Sequence, residues 1–176
     1  MMAGGLTGAA AAAVMLVGMT APAHAAYTTY VSVQTPSGSS GPKVLDIKDY
    51  SLADRGQAQL WALRASGEVR NQRWTISQVG TLNGHAVLRL QNALSGRCLD
   101  KSQDVPDTDG NAVYQYGCSG TSNQQWERLG SSGWVQLRNV SDGRCLDVNG
   151  PSFTDGAILH VWHCYSNWSQ RWNTDQ

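Results

Sequence analysis

One pattern occurs three times along this chain of 176 residues, and it restricts the possible folds more than any other feature. A Leu-Asp step is followed by Gln-x-Trp, at Leu45-Asp46 and Gln72-Arg73-Trp74, Leu99-Asp100 and Gln124-Gln125-Trp126, and Leu146-Asp147 and Gln170-Arg171-Trp172. The tryptophan stands 28, 26 and 25 residues after the aspartate. Units this short cannot each enclose a core, so they are expected to stack and bury one apolar centre between them. The repeats run over about 30–75, 86–127 and 134–173 and make up a single domain within 26–176.

No segment sustains a 3.6-residue apolar period long enough for a helix, whereas short alternating runs bounded by turn residues recur in each repeat. The expected class is all-β. Tyr30–Gln34, Val87–Gln91 and Val135–Asn139 open the repeats as strands, each followed by a Gly-containing turn. A second strand begins at Lys43, Arg97 and Arg144 and carries the Leu-Asp step, where alternation sends Leu45, Leu99 and Leu146 inward and the aspartates outward. A third holds Gln59–Leu63, Ala112–Tyr116 and Ile158–Trp162. Three four-stranded units are too few for a usual propeller, so a β-trefoil barrel fits best. Trp74, Trp126 and Trp172 then pack in the common core, since a residue recurring unchanged in every repeat is more often core than ligand contact.

The four cysteines are distributed as one pair in each of the last two repeats, at matching places. Repetition favours the pairings Cys98–Cys118 and Cys145–Cys164, each closing a loop of about 20 residues worth ~3 kcal/mol in the chain-entropy account. Zinc is the competing use, but CxxC spacing is lacking and the two repeats would have to share one ion. Repeat one has Val44 at the first cysteine position. Aligning Gly56 with Gly110 and Gly156 puts Arg64 at the second; a one-residue gap, the preferred register, puts Leu63 there.

Residues 1–25 contain no Asp, Glu, Lys or Arg, are apolar from Ala9 to Val17, and end in Ala23-His24-Ala25, the small-x-small form cleaved from secretory signals. Secretion, which permits disulfides, is the expected fate. Thirteen basic residues balance thirteen acidic ones, and no basic run offers a footprint for phosphate, so nucleic acid is not an expected partner. Membrane insertion is not expected either. Seven Trp and six Tyr against one Phe give the chain rings with a polar handle, suited to stacking on a wet ligand.

Cys-Leu-Asp, then Gly-x-Ala-x-x-x-Tyr/Trp-x-Cys, then Asn-Gln-x-Trp resembles the ricin-type β-trefoil lectins and the related xylan- and galactose-binding modules, over about residues 30–175. The resemblance implies that the aspartate accepts hydrogen bonds from adjacent sugar hydroxyls, that an aromatic before the second cysteine stacks on the sugar face, and that the closing Asn and Gln complete the pocket. A pyranose offers vicinal hydroxyls to a carboxylate and C–H bonds to a ring, so the chemistry agrees. Repeat two then supplies Asp100, Tyr114 or Tyr116, Asn123 and Gln124, with Tyr116 the favoured stacking ring. Repeat three supplies Asp147, His160, Trp162 and Gln170, with Asn167 as a helper, but Ser169 replaces the expected Asn and is too short to span the same gap, so affinity or sugar preference is expected to shift there. Repeat one, in the gapped register, offers Asp46, Gln59, Trp61, Asn71 and Gln72.

The competing role for these aspartates is to anchor turns through local hydrogen bonds. The ring positions separate the two readings: Tyr114 with Tyr116 and His160 with Trp162 share a strand face, which suits an open pocket better than an aliphatic core. His160 and His163, three apart on a strand, point to opposite faces, so neither a metal nor any other cofactor is expected. Asn139-Val140-Ser141 and Asn167-Trp168-Ser169 match the N-glycosylation sequon. No nucleophile elbow, zinc-protease helix or phosphate loop occurs, and glycoside hydrolysis needs two carboxylates roughly 5 to 10 Å apart, whereas these aspartates lie on separate repeats. The expected function is therefore that of a secreted, non-catalytic lectin with two or three shallow sites for galactose- or xylose-type sugars on polysaccharides or glycoconjugates, and a monomer suffices for it. The alternative is a protein-directed trefoil such as a protease inhibitor or adhesion factor.

Overall fold

The computed structural model describes residues 26–37, 41–150 and 153–175. The expected signal segment lies outside them. Among the described residues the regular structure is thirteen strands and four short 3-10 turns, so the chain is all-β. Repeat one contributes β2 (Ser32–Val33), β3 (Lys43–Ile47), β4 (Gly56–Ala62) and β5 (Trp74–Leu82). Repeat two contributes β6 (His85–Asn92), β7 (Cys98–Lys101), β8 (Val113–Tyr116) and β9 (Trp126–Leu129). Repeat three contributes β10 (Gln136–Asn139), β11 (Cys145–Val148), β12 (Leu159–Trp162) and β13 (Trp172–Asn173). A leading strand, β1 (Tyr27–Thr29), pairs with β5.

Two sets of pairings relate the repeats cyclically. The last strand of each repeat pairs with the first of the next: β5 with β6, β9 with β10, and β13 with β2. The third strands close a ring through β4 with β8, the Ala112–His160 bridge and the Gln59–Ile158 bridge. A second ring of charges repeats this order. Asp54 of repeat one accepts from Arg97 (2.6 Å) and the Gly117 N–H of repeat two. Asp109 of repeat two accepts from Arg144 (3.0 Å) and the His163 N–H of repeat three, and Asp155 of repeat three from Lys43 (2.7 Å) and the Ala62 N–H of repeat one. Partly exposed pairs of this kind contribute at most about 1 kcal/mol each, so their main effect is registration of neighbouring repeats.

The Leu-Asp…Gln-x-Trp spacing has a direct physical cause. Each indole N–H donates to the backbone carbonyl of its own repeat's leucine: Trp74 to Leu45 (3.1 Å), Trp126 to Leu99 (3.2 Å) and Trp172 to Leu146 (2.9 Å). All six side chains are fully buried in one apolar cluster, so the indoles fill the core without leaving a polar atom unsatisfied. The intervening glutamine clamps the strand between. Its side-chain oxygen accepts the N–H of Arg64, Ser119 or Tyr165, and its amide donates to the carbonyl of Ala62, Gly117 or His163.

Both disulfides have the expected partners, Cys98–Cys118 and Cys145–Cys164. In repeat one Val44 pairs with Trp61 where Cys98 pairs with Tyr116 and Cys145 with Trp162, which puts Leu63 at the missing second cysteine. No gap is needed to reach this register. Arg55, at φ +67°, holds the left-handed position that Gly110 (+90°) and Gly156 (+87°) hold in the other repeats, and each donates its N–H to the neighbouring third strand. The expected alignment of Gly56 with those glycines is thus corrected by one residue. A side chain in this conformation costs on the order of 1 kcal/mol, which is why the sequence pointed to glycine.

Candidate functional site

Alternation places each aspartate on the face of its strand opposite the core, as expected, yet none is exposed. Asp46, Asp100 and Asp147 are 1%, 3% and 2% accessible, and Asp100 and Asp147 line cavities walled by the third strand. Opposite them across the ladder stand Gln59, Tyr114 and His160, and two residues on come Trp61, Tyr116 and Trp162. The paired rings share a face, with centroids 6.2 Å apart for Tyr114–Tyr116 and 5.3 Å, stacked, for His160–Trp162. In each repeat a 3-10 turn, 70–72, 122–124 or 168–170, swings the Asn-Gln or Ser-Gln pair toward the aspartate.

In repeat two the amides of Asn123 (2.9 Å) and Gln124 (2.8 Å) both bond Oδ2 of Asp100. Burial pushes this carboxyl above its usual range, with Asp104 adding to the rise; the two amides and Lys101 oppose it. Over it opens a cavity of about 310 Å³ in which Tyr114 forms the inner wall and Tyr116, 40% exposed, the rim. Arg55 reaches this cavity from repeat one. Its guanidinium is held by both oxygens of Asp104 (2.5 and 2.7 Å) and lies 5.7 Å from the Tyr114 ring.

In repeat three the cavity is larger, about 550 Å³, and includes Asp147, His160, Trp162, Tyr165, Asn167 and Trp168 in its walls. Gln170 donates to Asp147 Oδ2 at 3.0 Å. Ser169 stands where the asparagine amide is missing, and the hydroxyl of Tyr165 donates to the same oxygen at 3.2 Å. Asp147 Oδ1 is buried and has no hydrogen-bond partner. Burial pushes this carboxyl up, but His160, whose Nε2 is 3.8 Å away, together with Gln170 and Ser169 outweighs it and leaves the group below its usual range. Asn167 does not reach Asp147: its side chain caps the following turn by accepting from the Trp168 N–H.

Repeat one brings the same residues together and then fills the recess from within. Gln59 donates to Asp46 Oδ1 (2.9 Å), while Asn71 (3.0 Å) and Arg64 (3.1 Å) donate to Oδ2. Arg64 also donates to Asn71 Oδ1 at 2.5 Å and lies 5.0 Å from the Tyr50 ring. Gln72 keeps to its clamp. Burial pushes the Asp46 carboxyl up against the opposing influence of Gln59, Gln72 and Arg64. Both carboxylate oxygens of Asp46 are thus already hydrogen-bonded within the chain.

The residue just after the second cysteine position therefore distinguishes the three recesses: Arg64, Ser119 or Tyr165. Sequence analysis did not single out this position. Laying the repeats on one another at the glutamine clamp would have shown it, since three unlike side chains stand there between otherwise matching motifs. Arg55 and Trp168 were missed too, because Arg55 acts on a neighbouring repeat and Trp168 lies outside the repeating motif.

The sequence model of the family described as ricin-type beta-trefoil lectin domain-like matches residues 70–162 and 128–176. Volkensin of Adenia volkensii is 30% identical over 131 residues, 73% of this chain, and the chain spans only 22% of that protein's length. Among solved structures, the designed threefold symmetric protein ThreeFoil superposes with a TM-score of 0.69 at 30% identity, covering 82% of this chain and 95% of its own. An exo-β-1,3-galactanase from Clostridium thermocellum superposes equally well, with a TM-score of 0.69 at 29% identity, over 82% of this chain and 29% of the enzyme. The all-β architecture is thus a β-trefoil.

Proposed function

Because the chain belongs to the ricin-type β-trefoil lectin domain family, we propose that it is a secreted, non-catalytic glycan-binding protein that uses two sugar sites, in repeats two and three. One observation carries this reading: Asp147 lines the repeat-three cavity beside the stacked His160 and Trp162, which puts a carboxylate and a ring on one wall. A carboxylate oxygen that keeps acceptor capacity takes hydrogen bonds from ligand hydroxyls. The Trp162 ring offers an apolar face to the C–H side of the same sugar.

Repeat two has the same plan at smaller volume, with Asp100 as acceptor and Tyr116 as the ring. Arg64 closes repeat one. Galactose- and xylose-type sugars present the vicinal hydroxyls and the C–H face this arrangement suits. Each site is shallow and open, so single sugars bind weakly and retention on a polysaccharide or glycoconjugate comes from engaging both sites together.

Isothermal titration of the full chain with galactose and with xylose, alongside Asp100→Ala, Asp147→Ala and the double variant, tests the reading. The expected result is two equivalents of sugar on the wild type, one on each single variant and none on the double variant. A folded wild type that binds neither these sugars nor any member of a mixed glycan array would overturn it.

A further inference from the structure

The repeat-three cavity does not end at the single sugar that Asp147 can hold. Asn167 and Trp168 wall it on one side and also wall a second recess of about 290 Å³, completed by Gln34, Ser166 and Arg171. Trp168 is 45% exposed and so offers a ring at the threshold between the two. The second recess lies on the seam between repeats three and one, where the Gln34 N–H donates to the Arg171 carbonyl at 2.7 Å.

Arg171 is the variable residue of the third Gln-x-Trp, and its direction follows from its neighbours. Gln170 faces Asp147 and Trp172 fills the core, leaving the side chain between them on the outer surface. Its guanidinium is oriented by two long hydrogen bonds, to the Trp134 carbonyl (3.3 Å) and the Ser166 hydroxyl (3.2 Å). No carboxylate among the described residues lies within ion-pair distance of it. The other arginines that border a sugar recess are neutralised, Arg55 by Asp104 and Arg64 by Asp46. Among the described residues that line the second recess none is acidic.

We propose that repeat three binds an acidic oligosaccharide, with a neutral unit at Asp147 and a neighbouring unit's carboxylate or sulfate at Arg171 across Trp168. The inference rests on the lectin reading above. A planar guanidinium with N–H groups to spare matches the paired oxygens of either anion, and its charge is weakly opposed at this place. A neutral chain would lie across the same indole with nothing to use the charge.

The test is calorimetric, on Asp100→Ala protein so that only repeat three reports, with galactose, neutral galactobiose, galactobiose whose second unit is a uronate, and galactobiose sulfated on that unit. The expected result in 50 mM salt is that at least one acidic disaccharide binds about tenfold more tightly than the neutral one, and that the advantage shrinks in 500 mM salt. Whichever anion gains identifies the natural group. Arg171→Gln should bind acidic and neutral disaccharides alike, and Arg171→Lys should keep part of the preference. Galactose and neutral galactobiose binding with no acidic preference, or a preference that survives Arg171→Gln, would overturn this inference alone. Failure of all four probes to bind, with the folded wild type also binding neither xylose nor any member of the glycan array, would overturn the lectin reading with it.

Discussion

Repeat one and repeat three have the same backbone at their recesses and opposite contents. In each, an aspartate sits at the floor, a ring two residues past its cross-strand partner flanks it, and a glutamine clamps the following strand. The differences lie at three positions: Gln59, Asn71 and Arg64 in repeat one stand where repeat three has His160, Ser169 and Tyr165. Gln59 donates to Oδ1 of Asp46, and Asn71 and Arg64 to Oδ2, whereas Gln170 and Tyr165 both donate to Oδ2 of Asp147 and its Oδ1 has no partner. Repeat one, without a disulfide, thus carries an internal ion pair; repeat three, with its disulfide, keeps an unsatisfied acceptor. These side chains decide how fully the chain itself satisfies each lobe's aspartate.

The largest expected effect concerns what the lobes share. Trp74→Ala, Trp126→Ala and Trp172→Ala should each lower unfolding free energy by about 3 to 5 kcal/mol in denaturant titrations, and by similar amounts, because each indole fills the same core and caps the same leucine carbonyl. Unequal costs would mean that the three lobes are not mechanically equivalent beneath their rims.

Exchanging the distinguishing residues tests the comparison directly. Arg64→Ser should raise sugar stoichiometry from two to three while costing about 1 to 3 kcal/mol, since it strips a buried carboxylate of a partner but opens it to water. Tyr165→Arg should lower stoichiometry to one. Titration calorimetry reads both; a third site that fails to open in folded Arg64→Ser protein would show that more than the plug separates the lobes.

A subtler distinction is expected with pH. Sugar hydroxyls donate to the ionised carboxylate, so each site weakens as pH falls through its aspartate's pKa. The Asp100 carboxyl lies above its usual range by burial and Asp104, while Asp147 lies below because His160, Gln170 and Ser169 outweigh burial. On acidification the repeat-two site should therefore fail first, measured with Asp147→Ala protein for repeat two and Asp100→Ala for repeat three. The smallest effect is expected from Arg55→Gly. Relief of the left-handed strain and loss of the exposed Asp104 pair should nearly cancel in denaturant titrations, while sugar affinity in repeat two changes as one wall is removed.

The recurring features were legible before any coordinates because they are satisfied within one repeat. The core indoles, both disulfides, the strand order and the gathering of Asp100 with Tyr114, Asn123 and Gln124 follow from spacing and alternation inside a lobe. Asn167 lines the repeat-three cavity, but its side chain caps its own turn instead of bonding the aspartate, a choice made by local backbone geometry. Gly56 was misaligned because Arg55 accepts a conformation in which glycine is the natural expectation.

What the sequence determined by itself was the threefold plan, since repetition at a fixed spacing forces the chain to bury the same residues three times over. What only the tertiary structure decided was which recess remains open. That depends on where long side chains lie: Arg64 turned inward onto Asp46, Arg55 extended across a seam to Asp104, Arg171 left on the rim with no carboxylate beside it. Flexible stems give such side chains many possible positions, and the neighbours that select one of them come from other strands and other repeats.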